Sequence, residues 1–379
     1  MTPAQQPNAI IIGGSLSGLF VANTLRSIGW NVDIYERSPA ALDSRGGGVV
    51  LQPEVLTAFK FSGIEPDQAV GVRSHNRTVL NRRGDTRSKQ YAPQTQTSWN
   101  TIYHHLYQAL PEHHYHRGKT FTHFEQDGDT VVAYFQDGTS VRGDLLIGAD
   151  GGHSQVRQQV LPGVVPSYSG YVVWRGLVEE PRLSETSKAL IYEDFVFQPD
   201  AESLMLEYMV PGVDGASDVQ RRRFNWLWYL KAAPGPELDA ILTDKNGCRR
   251  EHSIPPGAIA PEQARRFIER AREQINPAFL ELIELTEDIF VQSILDLKVP
   301  RMVFDRVLLL GDAAFIPRPH TAGSTAKAAH NAVSLAKALA GHDDLSTALK
   351  RWEVSALQEG TAMSDWGIDM GNRIMNITA

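Results

Sequence analysis

Cysteine is nearly absent from this chain: Cys248 is the single thiol in 379 residues. A disulfide framework and a cysteine-rich metal site are both excluded, as expected of a protein working in a reducing cytoplasm. No window approaches the roughly eighteen consecutive apolar residues of a membrane-spanning helix. The opening MTPAQQPNAIIIGG places no basic residue before its apolar run, so neither an anchor nor a secretory leader is expected. Positive charge is not in excess either. Lys plus Arg number 37 against 44 for Asp plus Glu, a net charge of −7, which argues against nucleic acid or an anionic membrane surface as partner. The local run Arg221-Arg222-Arg223 reads as a solvated loop. Internal repeats and low-complexity segments are missing. At this length two domains, or one domain with a large insertion, are expected.

Three segments carry chemistry. Asn8 to Arg37, NAIIIGGSLSGLFVANTLRSIGWNVDIYER, parses as strand, glycine turn, amphipathic helix and second strand. The turn Gly13-Gly14-Ser15-Leu16-Ser17-Gly18 keeps the first and last glycines of the G-x-G-x-x-G dinucleotide fingerprint and puts Ser15 at the middle one, where a small side chain is tolerated. Glu36, at the end of the second strand, is spaced to accept the ribose hydroxyls of an adenosine. Leu145 to Arg157, LLIGADGGHSQVR, is another apolar strand ending in an acid, Asp150, followed by Ser154 and Arg157 at a helix start. The third segment, RVLLLGDAAFIPRPHTAGSTAKAAHNAVSLAKAL, reads as a buried strand over Val307–Leu310, closed by Gly311 and Asp312. A loop then delivers the chain to a helix beginning near Gly323. A carboxylate there can grip a polyol, and the helix amino terminus offers N–H groups and a positive dipole end to an anion.

Between these segments the spacing predicts a helix over Pro53–Phe61, a hairpin over Arg73–Tyr91, a helix over Ser98–Leu110 and a β-meander over Thr120–Arg142. Strand-like runs follow at Tyr171–Val178, Ala189–Gln198, Ser203–Val210 and Arg223–Lys231. They bring Trp174, Tyr192, Phe195, Phe197, Tyr208, Trp226, Trp228 and Tyr229, a stripe expected to be mostly core with part of it roofing the nucleotide domain. Helices are expected over Pro261–Ile275, Pro277–Leu285 and Leu345–Met363, and a strand over Ile289–Leu297 returning to the first domain. The fold expected is α/β: a Rossmann-like dinucleotide-binding domain with an inserted β-sheet domain and a C-terminal helix. The dinucleotide-binding domain takes 1–73, 98–166 and 288–379, and the inserted domain 74–97 and 167–287.

In their order and spacing, GGSLSG with Glu36, GADGGHSQVR and RVLLLGDAAFIPRPH resemble the single-component FAD-dependent aromatic hydroxylases of the para-hydroxybenzoate hydroxylase type. The resemblance covers nearly the whole chain, and YERSP, VLQPEV, TSWNTIYHHLY, YVVWRG and FNWLWY carry it further. It implies that the dinucleotide-binding domain is a Rossmann-like FAD-binding domain of glutathione-reductase type and that the inserted β-sheet is the substrate domain. It also implies that Gly13, Gly14, Ser15, Ser17 and Gly18 hold the FAD pyrophosphate, with Glu36 and Arg37 at the adenosine. Asp312 would bind the ribityl chain, and Gly311 with Gly323, Ser324 and Thr325 would lie near the flavin pyrimidine. Asp150 and Arg157 would serve FAD and the nicotinamide nucleotide. The Gly46–Gly48 loop, Gly48 included, would lie beside the isoalloxazine. Many members carry arginine at Tyr103, histidine at Phe315, glycines at Ala322 and Ser324, and an acid at Asn331.

The implied reaction uses NADH or NADPH and oxygen to hydroxylate a hydroxylated aromatic or N-heteroaromatic ring, hydroxypyridine-like, through a flavin C4a-hydroperoxide. His320, ahead of the flavin-facing helix, is the first candidate to help ionise the substrate hydroxyl, with a structural hydrogen bond in that loop as an equal alternative. Tyr208, Tyr192 and His104 are weaker candidates. No metal is expected, and a homodimer is left open. Competing readings are a non-catalytic FAD-binding sensor, a pyridine-nucleotide dehydrogenase without flavin, and a flavoprotein reductase or halogenase, the halogenase W-x-W-x-I signature being one that Trp226–Leu230 mimics through period-two aromatics in a strand.

Overall fold

The computed structural model describes residues 6–42, 47–66, 70–341 and 344–377. Apolar runs without alternation become the first sheet, because strands covered on both faces need no polar side. Its six strands run Val303–Phe304, Val307–Leu309, Leu145–Gly148, Asn8–Ile12, Asn31–Glu36 and Tyr115–Arg117 in spatial order. The central four and the last are parallel, in register Ile11 to Ile34 on one side and Ile11 to Ile147 on the other. Ile10, Ile11, Leu146, Ile147 and Leu308 are almost fully excluded from solvent. The helix Leu16–Arg26 packs on this sheet beside the helix Ser324–Leu339. All three chemical segments therefore end at the same carboxyl edge, where a ligand cleft is expected. The meander Phe121–Asp127, Thr130–Phe135 and Ser140–Gly143 forms a separate small sheet.

A second sheet of ten strands stands over that edge. From Ser253–Ile254 it runs through Phe290–Lys298, Ser167–Glu179, Arg223–Lys231, Ser203–Val210, Phe195–Asp200, Val72–Leu80 and Thr86–Ser98 to Gly48–Val50. Phe315–Ile316 pairs on Phe290–Lys298. Alternation sorts its two faces. Trp174, Met205, Trp226 and Trp228 turn to the covering helices, where the Phe267 ring stacks on Trp174 with centroids 4.3 Å apart. Tyr171, Leu204, Leu206, Tyr208, Leu227 and Tyr229 turn the other way, toward the first sheet. The W-x-W pattern is thus the buried face of a strand.

Four expectations change. Ala189–Ile191 belong to a helix, Glu185–Ile191, which Ser184 caps by accepting from the Ser187 amide, and the strand starts only at Phe195. The strand Phe290–Lys298 pairs with Ser167–Glu179 in the second sheet instead of returning to the first. The last helix runs from Leu345 to Ile374, past Met363. Arg222 is no solvated loop residue: its guanidinium is buried against Glu180 at 2.9 Å and Glu193 at 2.7 Å, with the Tyr192 hydroxyl in contact. Burial of one charge is tolerated there because two carboxylates satisfy its fork.

Candidate active site

The glycine turn is held by contacts that leave no room for side chains. Gly13 has φ +105°, and a Cβ on Gly18 would stand 2.0 Å from the Gly13 carbonyl oxygen. Ser15 precedes the helix without a side-chain cap, so first-turn N–H groups face outward to a ligand. Glu36 is buried at the end of its strand and accepts from the Gly14 amide at 2.9 Å and the Ser38 amide at 2.8 Å. A cleft of about 540 Å³ opens here, lined by Gly13, Ser15, Glu36, Arg37, Trp99 and Asp150 among others. Asp150 uses one carboxylate oxygen to cap the next helix through the Gln155 amide at 2.7 Å, while its Oδ1 is buried with no hydrogen-bond partner in the protein. That orphan acceptor fits a hydroxyl of a dinucleotide, and the helix amino terminus bounding the cleft fits its pyrophosphate.

A larger cavity of about 980 Å³ adjoins it, His153 lining both. One wall is the third segment: Asp312, which accepts from the Ser324 hydroxyl at 2.8 Å, and the uncapped helix start at Gly323, Ser324 and Thr325. Gly311, at φ +68°, packs on Ser17, and its carbonyl accepts from Lys327 Nζ at 3.0 Å; burial lowers this lysine to about 8. Ala322 occupies the left-handed region at φ +51°, a backbone that favours glycine. The opposite wall is the open face of the second sheet, with Leu206, Tyr208, Leu227 and Tyr229. Gly48 lies flat on that face: its amide donates to Asn225 Oδ1 at 2.8 Å, and a Cβ there would come within 2.5 Å of the Tyr208 ring.

His320 lies in this cavity, Nε2 3.0 Å from the Tyr171 hydroxyl and its ring 4.5 Å from that of Tyr229. Desolvation, aided by the Arg318 charge, lowers its pKa to about 4, so the imidazole is neutral near pH 7. The loop carrying it is fixed by Arg318, which pairs with Asp296 at 2.8 and 2.7 Å and donates to Asn372 at 2.8 Å. Burial pushes the Tyr208 phenol up to about 12, keeping it protonated. Trp366, Met370 and Ile374 of the last helix complete the enclosure.

Several expected residues stand elsewhere. Arg157 is buried and gives its guanidinium to the carbonyls of Val164, Ala313 and Gly152, so it braces the segment and lines neither cavity. Tyr192 belongs to the Arg222 network, and His104 flanks Tyr103; neither lines the large cavity. Gly46 lies outside the described residues. Tyr103 is buried in a stack between Trp99 and Tyr107, and Phe315 packs under Gly360 of the last helix. Sequence reasoning missed Tyr171, Asn225 and Arg175, which the strand alternation places on the cavity face. A polar residue inside an otherwise apolar strand, as in FNWLWY and YVVWRG, was the available signal.

A dinucleotide cleft continuous with an aromatic-walled cavity at the carboxyl edge of a parallel sheet is the arrangement of flavin-dependent oxygenases. A profile described as FAD binding domain-like matches residues 168–296. The chain is 35% identical over 97% of its length, and 91% of the relative's, to 2,6-dihydroxypyridine 3-monooxygenase of Paenarthrobacter nicotinovorans. It is 27% identical over 89% of its length, and 83% of the relative's, to 6-hydroxynicotinate 3-monooxygenase of Pseudomonas fluorescens. The solved structure of 2,6-dihydroxypyridine-3-hydroxylase from Arthrobacter nicotinovorans superposes with a TM-score of 0.92 at 34% identity, covering 99% of this chain and 94% of that one. The chain belongs to the FAD-dependent aromatic hydroxylases. Among the described residues no helix is long and apolar enough to cross a membrane.

Proposed function

We propose that the protein hydroxylates a small hydroxylated N-heteroaromatic ring, hydroxypyridine-like, with oxygen and NADH or NADPH, in the cytoplasm. The observation that carries this reading is the large cavity itself. Its one wall is built to receive a flavin at Asp312 and the helix start at Gly323–Thr325, and its other wall is apolar and aromatic with a few placed polar groups. The nature of the ring is supported by the two relatives named for hydroxypyridine and hydroxynicotinate oxidation. When bound, the flavin supplies the redox chemistry, taking a hydride from the nicotinamide and passing an oxygen atom from O2 to the ring.

The chain's own residues do the rest. Gly13, Ser15 and Gly18 would let the backbone approach the pyrophosphate, Glu36 would hold the adenosine ribose, and Asp312 would hold the ribityl chain. The positive end of the helix at Ser324 stabilises negative charge brought beside it. Leu204, Leu206, Leu227 and Ile294 exclude water from the reacting ring. His320, neutral and hydrogen-bonded through Nε2 to Tyr171, offers Nδ1 to the substrate hydroxyl, and Tyr208 positions the ring as a protonated phenol. The test is NADH and NADPH oxidation by the yellow holoprotein with hydroxypyridines and hydroxybenzoates added singly. A rate that rises with a hydroxypyridine and a product heavier by one oxygen are expected; stimulation by no ring overturns the reading.

A further inference from the structure

We propose that Arg175 is the specificity residue of this pocket and that it takes the ring substrate as an anion, through an N–C–O edge that accepts two hydrogen bonds side by side. The inference deepens the hydroxylase reading and rests on it. Arg175 projects from the strand Ser167–Glu179 on the face that carries Tyr171 and Val173, into the large cavity. Its contacts are long or weak: Nη2 is 3.3 Å from the Gly48 carbonyl, Nη1 is 3.4 Å from Gln292 Oε1, and the Phe290 ring centroid is 5.6 Å away. Nε is buried with no hydrogen-bond partner.

Arg175 is half-buried, and the fully buried arginines are satisfied. Arg222 has Glu180 and Glu193, Arg318 has Asp296, and Arg157 has three carbonyls. No carboxylate among the described residues pairs with Arg175. Its protein neighbours cannot neutralise it either. Tyr229 on the adjacent strand and Tyr208 on the next are held protonated by burial, and His252 and His320 supply no negative charge. Asp312, on the opposite wall, is engaged by Ser324. A partly desolvated guanidinium with an unused Nε is therefore left for the ligand to complete.

The chemistry that completes it is specific. A guanidinium fork matches two acceptors held about as far apart as carboxylate oxygens. A 2-hydroxypyridine that has lost its proton presents such a pair, the ring nitrogen and the adjacent oxyanion. A ring carboxylate presents the same geometry. The ionised ring is also the electron-rich form that an electrophilic oxygen attacks, so selecting it at binding prepares the reaction.

The experiment is equilibrium binding to the oxidised holoprotein, without NAD(P)H, followed by calorimetry from pH 6 to 9. The probes are 2,6-dihydroxypyridine, 2,6-dimethoxypyridine and benzoate, tested on wild type, Arg175→Gln and Arg175→Lys, with flavin content checked by absorbance. Wild-type affinity for dihydroxypyridine is expected to rise with pH as the ring ionises. Arg175→Gln should flatten that rise and weaken binding on the order of 30-fold or more. Arg175→Lys should keep the pH slope at lower affinity, and dimethoxypyridine should not distinguish the three proteins. Wild-type affinity and slope in Arg175→Gln overturn the proposal; should that variant lose its flavin, wild-type affinity across the pH range in Arg175→Lys does so. Arg175-dependent binding of benzoate with no binding of dihydroxypyridine would keep the anion site and overturn the heteroaromatic substrate.

Discussion

The Nε2 of His320 lies 3.0 Å from the hydroxyl of Tyr171, and the two rings lie nearly parallel, 23° apart. Tyr171 comes from the second sheet and His320 from the loop that follows the first, so this bond ties the substrate wall to the flavin wall. His320→Gln keeps a side chain of similar reach but removes an imidazole. Flavin content should stay at wild-type level while the hydroxylation rate falls by about 100-fold, the usual loss for a positioned acid–base group. Rapid-mixing turnover with product analysis checks it; an unchanged rate removes His320 from the mechanism.

The same burial makes stability depend on pH. A histidine of ordinary value 6.5 in the unfolded chain and about 4 in the folded protein binds its proton in the unfolded state first. Stability therefore falls as pH drops from 6.5 towards 4, by up to about 3 kcal/mol if the whole shift is expressed. Thermal unfolding of wild type and His320→Gln at pH 5 and pH 7 should show a smaller difference between the two pH values in the variant.

Glu207 sits with no exposed surface in the second sheet, both carboxylate oxygens without partners, its pKa raised well above the ordinary carboxylate value by desolvation first and by the charge of Asp194 second. The folded protein holds this proton while the unfolded chain releases it, so stability is lost as pH rises above the unfolded value of 4.5. Glu207→Gln keeps the shape and removes the titration. At pH 8 the variant should be more stable than wild type, with the gain vanishing near pH 4.5. Denaturant unfolding at both pH values reads the sign.

Gly18→Ala would place a methyl group 2.0 Å from the Gly13 carbonyl oxygen, backbone against backbone, with no flexible neighbour to yield. The turn must open, and with it the pyrophosphate site. The purified variant should be colourless or lose its flavin on gel filtration, while far-ultraviolet circular dichroism stays close to wild type. Full retention of bound FAD would contradict the assignment of this turn.

Most of the first sheet was legible because its strands are short apolar runs ending in glycine and acid, and the βα turn needs glycines only where backbones touch. The cavity walls were harder. Arg175 and Arg222 each look in sequence like solvent-facing residues, since what buries them is the register between strands far apart in the chain. Ala189–Ile191 read as strand because three apolar residues carry no period; Ser184 ahead of them was the overlooked cap. Likewise nothing in Phe290–Lys298 says which sheet it joins. Arg157 was not foreseen as a brace for the carbonyls of Val164, Ala313 and Gly152, because a buried arginine that satisfies carbonyls looks the same in sequence as one that waits for phosphate.

The order of strands in the first sheet bears on how the protein is made. Asn8–Ile12 leaves the ribosome early, yet its neighbour Leu145–Gly148 and the next strand, Val307–Leu309, come far later. The helix that walls the cavity, Leu345–Ile374, comes last of all. During synthesis the edge of Asn8–Ile12 therefore stays unpaired until Leu145–Gly148 is made, and the edge of that strand until Val307–Leu309, states open to aggregation and to capture by chaperones. Closure of the cavity therefore waits on a helix that is made after the strands of both sheets.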